Sequence, residues 1–169
     1  MTDYKKQVKL ETDITNILRT IRHDLRAERV LVLQYHNGVH SIANNHLLKV
    51  SATHESVGKN AKTMVNAIQA WPSNYLGEWN TILFDNTFIE IADKVSISEY
   101  PGLRGVCEFL NAYEVDKMIL YPITDSYGDV FGIGMVHLSA NDPYPSKDLI
   151  KWASQRFHAV GALLAGTQD

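Results

Sequence analysis

The chain has 169 residues, of which 45% are hydrophobic and 21% charged, with a net charge of −3. That is enough chain to bury one core, and a pI near 6.1 leaves no basic field to attract nucleic acid. Cys107 is the single cysteine, which excludes an intramolecular disulfide and a thiolate zinc cage.

The first turn, Met1 to Gln7, has no apolar core of a signal peptide, and no apolar run is long enough to span a bilayer. A soluble, cytoplasmic chain without a membrane partner is expected. Thr2 or Asp3 can cap a first helix reaching about Arg26, with Leu10, Ile14, Ile17, Leu18, Ile21 and Leu25 at helical spacing. Its basic residues interleave with acids and read as a solvated face. A first strand follows at Arg29 to His36. The turn-like stretch Asn37 to Asn45 leads to a second strand, His46 to Glu55. Lys59 to Trp71 reads as a short helix stopped by Pro72. Residues 72–86 show no clear period, and an irregular stretch of that length in a compact domain is often a lid or binding loop. Thr87 to Ile91 reads as a short strand and Gly102 to Tyr113 as a helix with Pro101 near its start.

Two apolar runs come next, Lys117 to Thr124 and Val130 to Leu138, joined by Asp125-Ser-Tyr-Gly-Asp129. They read as a hairpin in the middle of an antiparallel sheet. Gly132 and Gly134 are two apart and so share a face, where something packs close. Ser146 caps a last helix to about Ala165, with Asp148 in its first turn. That helix carries two apolar stripes, Leu149, Trp152, Ala153, Val160 and Leu163, and Ile150, Phe157, Gly161 and Leu164. One stripe seats a helix on a sheet; the other must meet the first helix or a partner subunit. No internal repeat or low-complexity segment interrupts residues 1–169, which read as one domain.

Taken in order, Arg29-Val-Leu-Val-Leu-Gln-Tyr-His36, the link Asn111-Ala-Tyr-Glu-Val-Asp116, and the hairpin with Pro122 late in one strand and Gly132-Ile-Gly-Met-Val136 in the next make the chain resemble a GAF domain over nearly its whole length. The resemblance implies an α+β fold: a central antiparallel sheet with the N- and C-terminal helices packed on one face and a ligand pocket associated with the sheet. It also implies a homodimer through those helices, the family's common interface. The stretch Tyr35-His36-Asn37-Gly38, followed by Lys49-Val-Ser-Ala-Thr-His-Glu55, is similar to small stand-alone GAF-like proteins of bacteria and their phages. GAF domains bind cyclic nucleotides, tetrapyrroles, amino acids and metal centres, so the fold alone does not choose a ligand or cofactor.

Candidate chemistry gathers where the first strand ends. Tyr35, His36 and Asn37 leave the sheet there, and strand ends commonly carry sites; alternatively, Asn37-Gly38 is simply a turn pair. Lys49, Ser51, Thr53 and Glu55 alternate with Leu48, Val50 and Ala52, giving one polar face that either lines a pocket or meets solvent. Trp71, Tyr75 and Trp79 either stack on a flat ligand or form a satellite core. Arg104 is placed to meet an anion near the start of a helix, or is a surface arginine. His36, His40, His46 and His54 match no zinc spacing, so no metal site is expected. Cys107 is followed by Glu108 rather than the histidine that bilin-attaching GAF domains tend to show. It lacks the resolving thiol that methionine sulfoxide reduction needs. A buried structural thiol is its expected role.

No nucleophile–base pair, carboxylate pair or Gly-rich phosphate loop stands out, so no catalytic residue is assigned. The sequence reads as a non-catalytic sensory or regulatory module, homodimeric, binding a small molecule through Tyr35, His36, Asn37, Lys49, Ser51, Trp79 and Arg104. Lys49 suits an anionic group and Trp79 a flat ring. The second reading is a docking factor, of the kind a phage carries, that keeps the fold and acts on a protein partner; the want of a fused output domain favours it. A metal- or cysteine-dependent enzyme is the third.

Overall fold

The computed structural model describes the backbone of residues 1–40, 46–91 and 104–166, and all their side chains but those of 37–40, 46, 47, 78 and 104. In chain order the elements are α1 (Asp3–Asp24), β1 (Ala27–His40), β2 (His46–Val57), β3 (Trp71–Pro72), α2 (Glu78–Asp85), β4 (Ile89–Ile91), α3 (Arg104–Ala112), β5 (Lys117–Thr124), β6 (Val130–Leu138) and α4 (Lys147–Ala165). The strands form an antiparallel sheet in the order β3-β2-β1-β6-β5-β4. The expected α+β arrangement is the one observed.

Alternation along each strand splits the sheet into two covered faces. Val30 and Val32 of β1, Ile119, Tyr121 and Ile123 of β5, and Val136 of β6 pack against Ile14, Leu18 and Ile21 of α1 and Ile150, Phe157 and Val160 of α4. The terminal helices also touch each other. On the other face Leu31, Leu33, Met118, Leu120, Ile133 and Met135 meet Trp79 and Leu83 of α2, Val106 and Leu110 of α3, and Met64, Ile68 and Leu76 of the connecting segments. The hairpin β5–β6 has its expected bounds. Asp125 Oδ1 accepts from the Tyr127 and Asp129 amides at 2.9 and 3.0 Å, and Gly128 takes φ +85°. β6 lies at the centre beside β1, and β5 lies between it and the short β4.

The two hairpin glycines have distinct reasons. A Cβ on Gly134 would lie 2.3–2.6 Å from the Phe157 ring, and one on Gly132 would lie 2.5 Å from the Leu33 carbonyl oxygen. α4 is capped as expected, Ser146 Oγ accepting from the Leu149 amide at 3.3 Å. α1 begins after Thr2, whose side chain makes no capping bond; Asp3 supplies the favourable charge in the first turn.

Several expected elements are corrected. β1 runs from Ala27 to His40, so residues 37–40 continue the strand, His40 pairing with His46. Lys59 to Trp71 is not a helix; it holds one 3₁₀ turn, Val65–Ala67. The amides of Met64 and Val65 are taken by Glu55 Oε2, at 2.6 and 3.1 Å, and the Ile68 carbonyl by the Ala52 amide. Both ends of the stretch are thus tied to β2 instead of to a helical ladder. Residues 72–86, expected to be irregular, form a 3₁₀ turn at Ser73–Leu76 and then α2, whose Trp79 and Leu83 share one buried face. The two stripes on α4 merge into one broad buried face: Ile150, Ala153, Phe157, Val160, Gly161 and Leu164 all turn inward, leaving Leu149, Trp152 and Leu163 at its flank. Among the described residues no helix is long and apolar enough to cross a membrane.

The contact between Gly134 and Phe157 sets how close α4 sits to the sheet. Gly134→Ala is expected to lower stability by about 1–3 kcal/mol, read from urea unfolding, and Phe157→Leu in the same chain should recover part of the loss by vacating the ring position. An unchanged midpoint for Gly134→Ala would show that the helix is free to shift.

Candidate functional site

β2 carries an extra residue, Thr53, between Ala52 and His54, which pair with the adjacent Leu33 and Val32 of β1. This bulge decides which β2 side chains reach which face. On one side of it, Val50 and Ala52 point into the layer under α2 and α3. On the other, His54 faces α1, its Nε2 2.6 Å from Glu11 Oε2, and Ser56 Oγ accepts from Arg22 Nε at 2.9 Å. Glu55 is thereby returned to the α2/α3 layer.

The residues singled out in the sequence fall on different sides of the sheet. Lys49 pairs with His36 and Ser51 with Gln34. With Val50 and Ala52 turned toward α2 and α3, these four lie on the face of the terminal helices. His36 Nε2 is 2.8 Å from Ser51 Oγ, which also accepts from the Ala70 amide at 2.7 Å. The polar alternation of β2 therefore does not run along one face: Lys49 and Ser51 lie opposite Glu55. Tyr35 and Trp79 are on the α2/α3 side. The Tyr35 hydroxyl donates to Asn80 Oδ1 of α2, and Asn80 Nδ2 donates to the Ser73 carbonyl at 2.9 Å. Burial pushes the Tyr35 phenol up to about 12, so it stays a donor. The side chains of Asn37 and Arg104 lie outside the described residues.

Trp79 has no exposed surface, so it does not offer its ring to solvent. Its Nε1–H is buried without a hydrogen-bond partner. Trp71 lies edge-on to Tyr75 and to Phe109, with centroids 5.9 and 4.8 Å apart; these rings form the rim of the same layer. Cys107 is half-buried on α3, and burial pushes its thiol up, the reverse of what a reactive thiolate needs. Among the described residues no group of three or more His, Cys, Asp or Glu side chains could hold a metal ion.

Sequence reasoning missed a buried polar cluster at the other end of β1. Arg29 is 2% exposed and His137 1%. Arg29 Nε and Nη2 donate to the Lys62 carbonyl at 3.0 and 2.5 Å, and Nη1 donates to His137 Nδ1 at 3.0 Å. Glu55 Oε2 is 3.9 Å from Arg29 Nε, and the Arg29 guanidinium lies 5.7 Å from the centre of the Tyr113 ring. Arginine has no acceptor, so His137 Nδ1 must accept and its proton sits on Nε2. That Nε2–H is buried and unpartnered. Burial, helped by the Arg29 charge, drives the His137 pKa down to about 3, so the ring is neutral. The signal was present as Arg29 and His137 inside otherwise apolar strand runs.

His137 neighbours Arg29 on β1 and Met118 on β5. Met118 and Met135 belong to the same buried cluster as Trp79. The two unpartnered N–H donors thus lie on one side of the sheet, in one apolar layer. Apolar walls with a few polar groups are the lining chemistry of a small-molecule site, although here the layer is filled by the chain's own side chains.

No protein-family model matches the sequence, and no curated protein matches it. Solved structures do. A GAF domain from Synechocystis sp. PCC6803, in its photoproduct state, superposes with a TM-score of 0.68 at 16% identity, covering 94% of this chain and 95% of that one. The blue-light-absorbing form of a GAF domain from Thermosynechococcus elongatus gives 0.68 at 13% identity over 99% and 92%. A protein solved in a far-red-absorbing dark state with bound biliverdin IXα gives 0.69 at 13% identity over 95% and 92%. The chain has a GAF-like fold.

Two outcomes follow from the buried donors. His137 has a folded pKa near 3 against 6.5 in the unfolded chain, so the unfolded state binds the extra proton. Stability from this residue is full above about pH 6.5 and falls as pH drops toward 3, by at most about 1.4 kcal/mol per pH unit. Urea unfolding across this range should show that slope, and its loss in His137→Gln. Separately, Trp79→Phe deletes an unsatisfied N–H costing about 1–3 kcal/mol. It is expected to stay within about 1 kcal/mol of the parent, whereas Trp79→Ala should lose about 3–5 kcal/mol.

Proposed function

We propose that the protein is a non-catalytic, cytoplasmic sensory or regulatory module formed by one domain over residues 1–169. In this reading it binds a small molecule in the layer between the sheet and α2/α3. The observation that carries the reading is the pair of buried, unpartnered donors, Trp79 Nε1–H and His137 Nε2–H, in that layer. A chain that needed only a core would do as well with an apolar ring at Trp79, where the indole N–H meets no partner. The fold supports it, since one solved protein of similar fold carries bound biliverdin IXα. Tyr35, through Asn80, fixes α2 over the layer. His36, Asn37, Lys49, Ser51 and Arg104 remain candidates for the rim or for a second contact.

One observation favours the docking reading. The layer is filled by the chain's own side chains: Met64, Trp79, Leu76 and Leu83 are each at most 2% exposed. A phage-like factor that acts on a protein partner would keep such a filled layer permanently. A sensor would open it. Electrospray mass spectrometry of the protein purified under native conditions separates the two, because a retained ligand or a ligand-dependent mass shift is expected of the sensor. An empty spectrum, with Trp fluorescence unmoved by a broad metabolite panel, would sink the ligand reading.

The module is further proposed to dimerise through α1 and α4. Leu10 and Ile17 of α1 and Trp152 and Leu163 of α4 are half-buried at the flank of the helical layer, where a second copy could cover them. Phe157 and Leu164 are unsuitable as probes, since both face the protein's own core. Trp152→Glu with Leu163→Glu is expected to give a folded monomer by sedimentation equilibrium. A parent that sediments as a monomer at tens of micromolar, where dimers held by about −6 to −7 kcal/mol are populated, would refute the interface.

A further inference from the structure

We infer that the ligand of the α2/α3 layer is an uncharged, flat, largely apolar molecule carrying carbonyl-type hydrogen-bond acceptors, and not an anion. This deepens, and rests on, the reading of that layer as a ligand site. The inference comes from the sign and charge of the groups left unsatisfied. Among the described side chains, the buried polar atoms without a partner are Trp79 Nε1 and His137 Nε2. Indole can only donate. His137 can only donate at Nε2, because Arg29 already occupies Nδ1. What is missing from the layer is therefore acceptors, and both donors are neutral.

A carboxylate or phosphate would satisfy the same donors but would bring an uncompensated charge into an apolar layer. Arg29 is the buried cation among the described residues, and it is committed. It faces Glu55 at 3.9 Å and donates to the Lys62 carbonyl and to His137. Lys49, the cation the sequence offered for an anion, is on the opposite face of the sheet. The Arg29–Glu55 pair leaves the cluster with no net charge, which suits a neutral guest. A carbonyl meeting either N–H desolvates nothing that is not repaired at once.

The apolar walls set the rest of the class. Leu31, Leu33, Met118, Met135, Ile133 and Leu83 offer contact area and no further charge. Two methionines are suited to shaping a gap around a flat ring. Entry requires α2 to lift, and Gly77 stands at its start with φ +46° and ψ −125°, a backbone state that favours glycine. Binding is thus expected to move Trp79 itself.

Three matched bicyclic probes test the class on the full-length protein: coumarin, a neutral lactone; naphthalene, with no acceptor; and 2-naphthoate, an anion. The indole N–H resonance of Trp79 in ¹⁵N-labelled protein, identified by its loss in Trp79→Phe, reports the bond directly. Coumarin is expected to move that resonance downfield and to bind about ten-fold or more tighter than either other probe, one net hydrogen bond being worth about that factor. In Trp79→Phe its advantage over naphthalene should shrink while naphthalene binding persists. If 2-naphthoate binds as tightly as coumarin and moves the same resonance, the neutral class is overturned while the interior site stands. If none of the three perturbs Trp79 up to solubility, and the native mass spectrum is empty, the site and the class fall together.

Discussion

Two missing β-carbons allow the last helix to lie on the sheet. A Cβ on Gly134 would strike the Phe157 ring, and a Cβ on Gly161 would come within 2.4 Å of the Thr124 carbonyl oxygen. One glycine is on the sheet and the other on the helix. Together they bring α4 onto the hairpin, with the Phe157 ring 4.9 Å from that of Tyr121 and the Tyr121 hydroxyl donating to the Ile150 carbonyl. Interiors are packed to crystal-like density, so this close approach fixes the helix position and does not merely permit it. α1 then completes the same layer beside α4. One face of the sheet is thereby closed by two long helices, and the buried Arg29–His137 pair and Trp79 lie on the other.

That second face is built differently. Where the first is covered by two long helices, the described residues over the second form short pieces: two 3₁₀ turns, the eight-residue α2 and the nine-residue α3. Short helices have little stability of their own, so tertiary ties hold them. Arg29 and Glu55 tie down residues 62–65 through the Lys62 carbonyl and the Met64 and Val65 amides. The pairing of Tyr35 with Asn80 ties down α2. A buried ion pair contributes little net stability once desolvation is counted. Its role here is positional: it specifies where the covering segment lies. A layer held by a few polar ties over an apolar floor opens more readily than one held by continuous helices, because the ties are local and the pieces small.

The legibility of the sequence followed the same division. Elements whose residues obey one period over a long stretch were readable: the α1 stripe, the hairpin with its Asp125–Asp129 turn, and the Ser146 cap. Elements whose form depends on distant partners were not. Nothing local in Lys59 to Trp71 shows that its amides will be claimed by Glu55, and nothing in Ala52-Thr53-His54 announces the bulge. That bulge is why the polar alternation of β2 misled: period two holds only while the register does. Lys49 and Glu55 are six apart and should share a face, yet the extra residue separates them. Tyr35 and Trp79 lie on one side of the sheet, while His36, Lys49 and Ser51, grouped with them in the sequence, lie on the other. Arg29 and His137 were passed over because each looked like the boundary or a member of an apolar strand. Their partnership spans 108 residues, and only pairing of β1 with β6 creates it.

The unsatisfied donors are best understood against this asymmetry. Buried polar groups in folded proteins are nearly always paired. On the terminal-helix face that rule is kept for Tyr121, whose hydroxyl reaches a carbonyl. The departures at Trp79 and His137 both fall on the loosely tied face. If imperfect packing alone were responsible, orphaned acceptors would be as expected as orphaned donors, and the rigid face would be as eligible as the other. Two donors, both neutral, both on the face covered by short elements, form a pattern with one chemical complement. An orphaned donor that a phenylalanine at 79 would remove at little net cost is instead kept, and such local inconsistencies concentrate where a fold carries its function. On the proposed reading the filled layer is the resting state, and a ligand's acceptor is what would complete it.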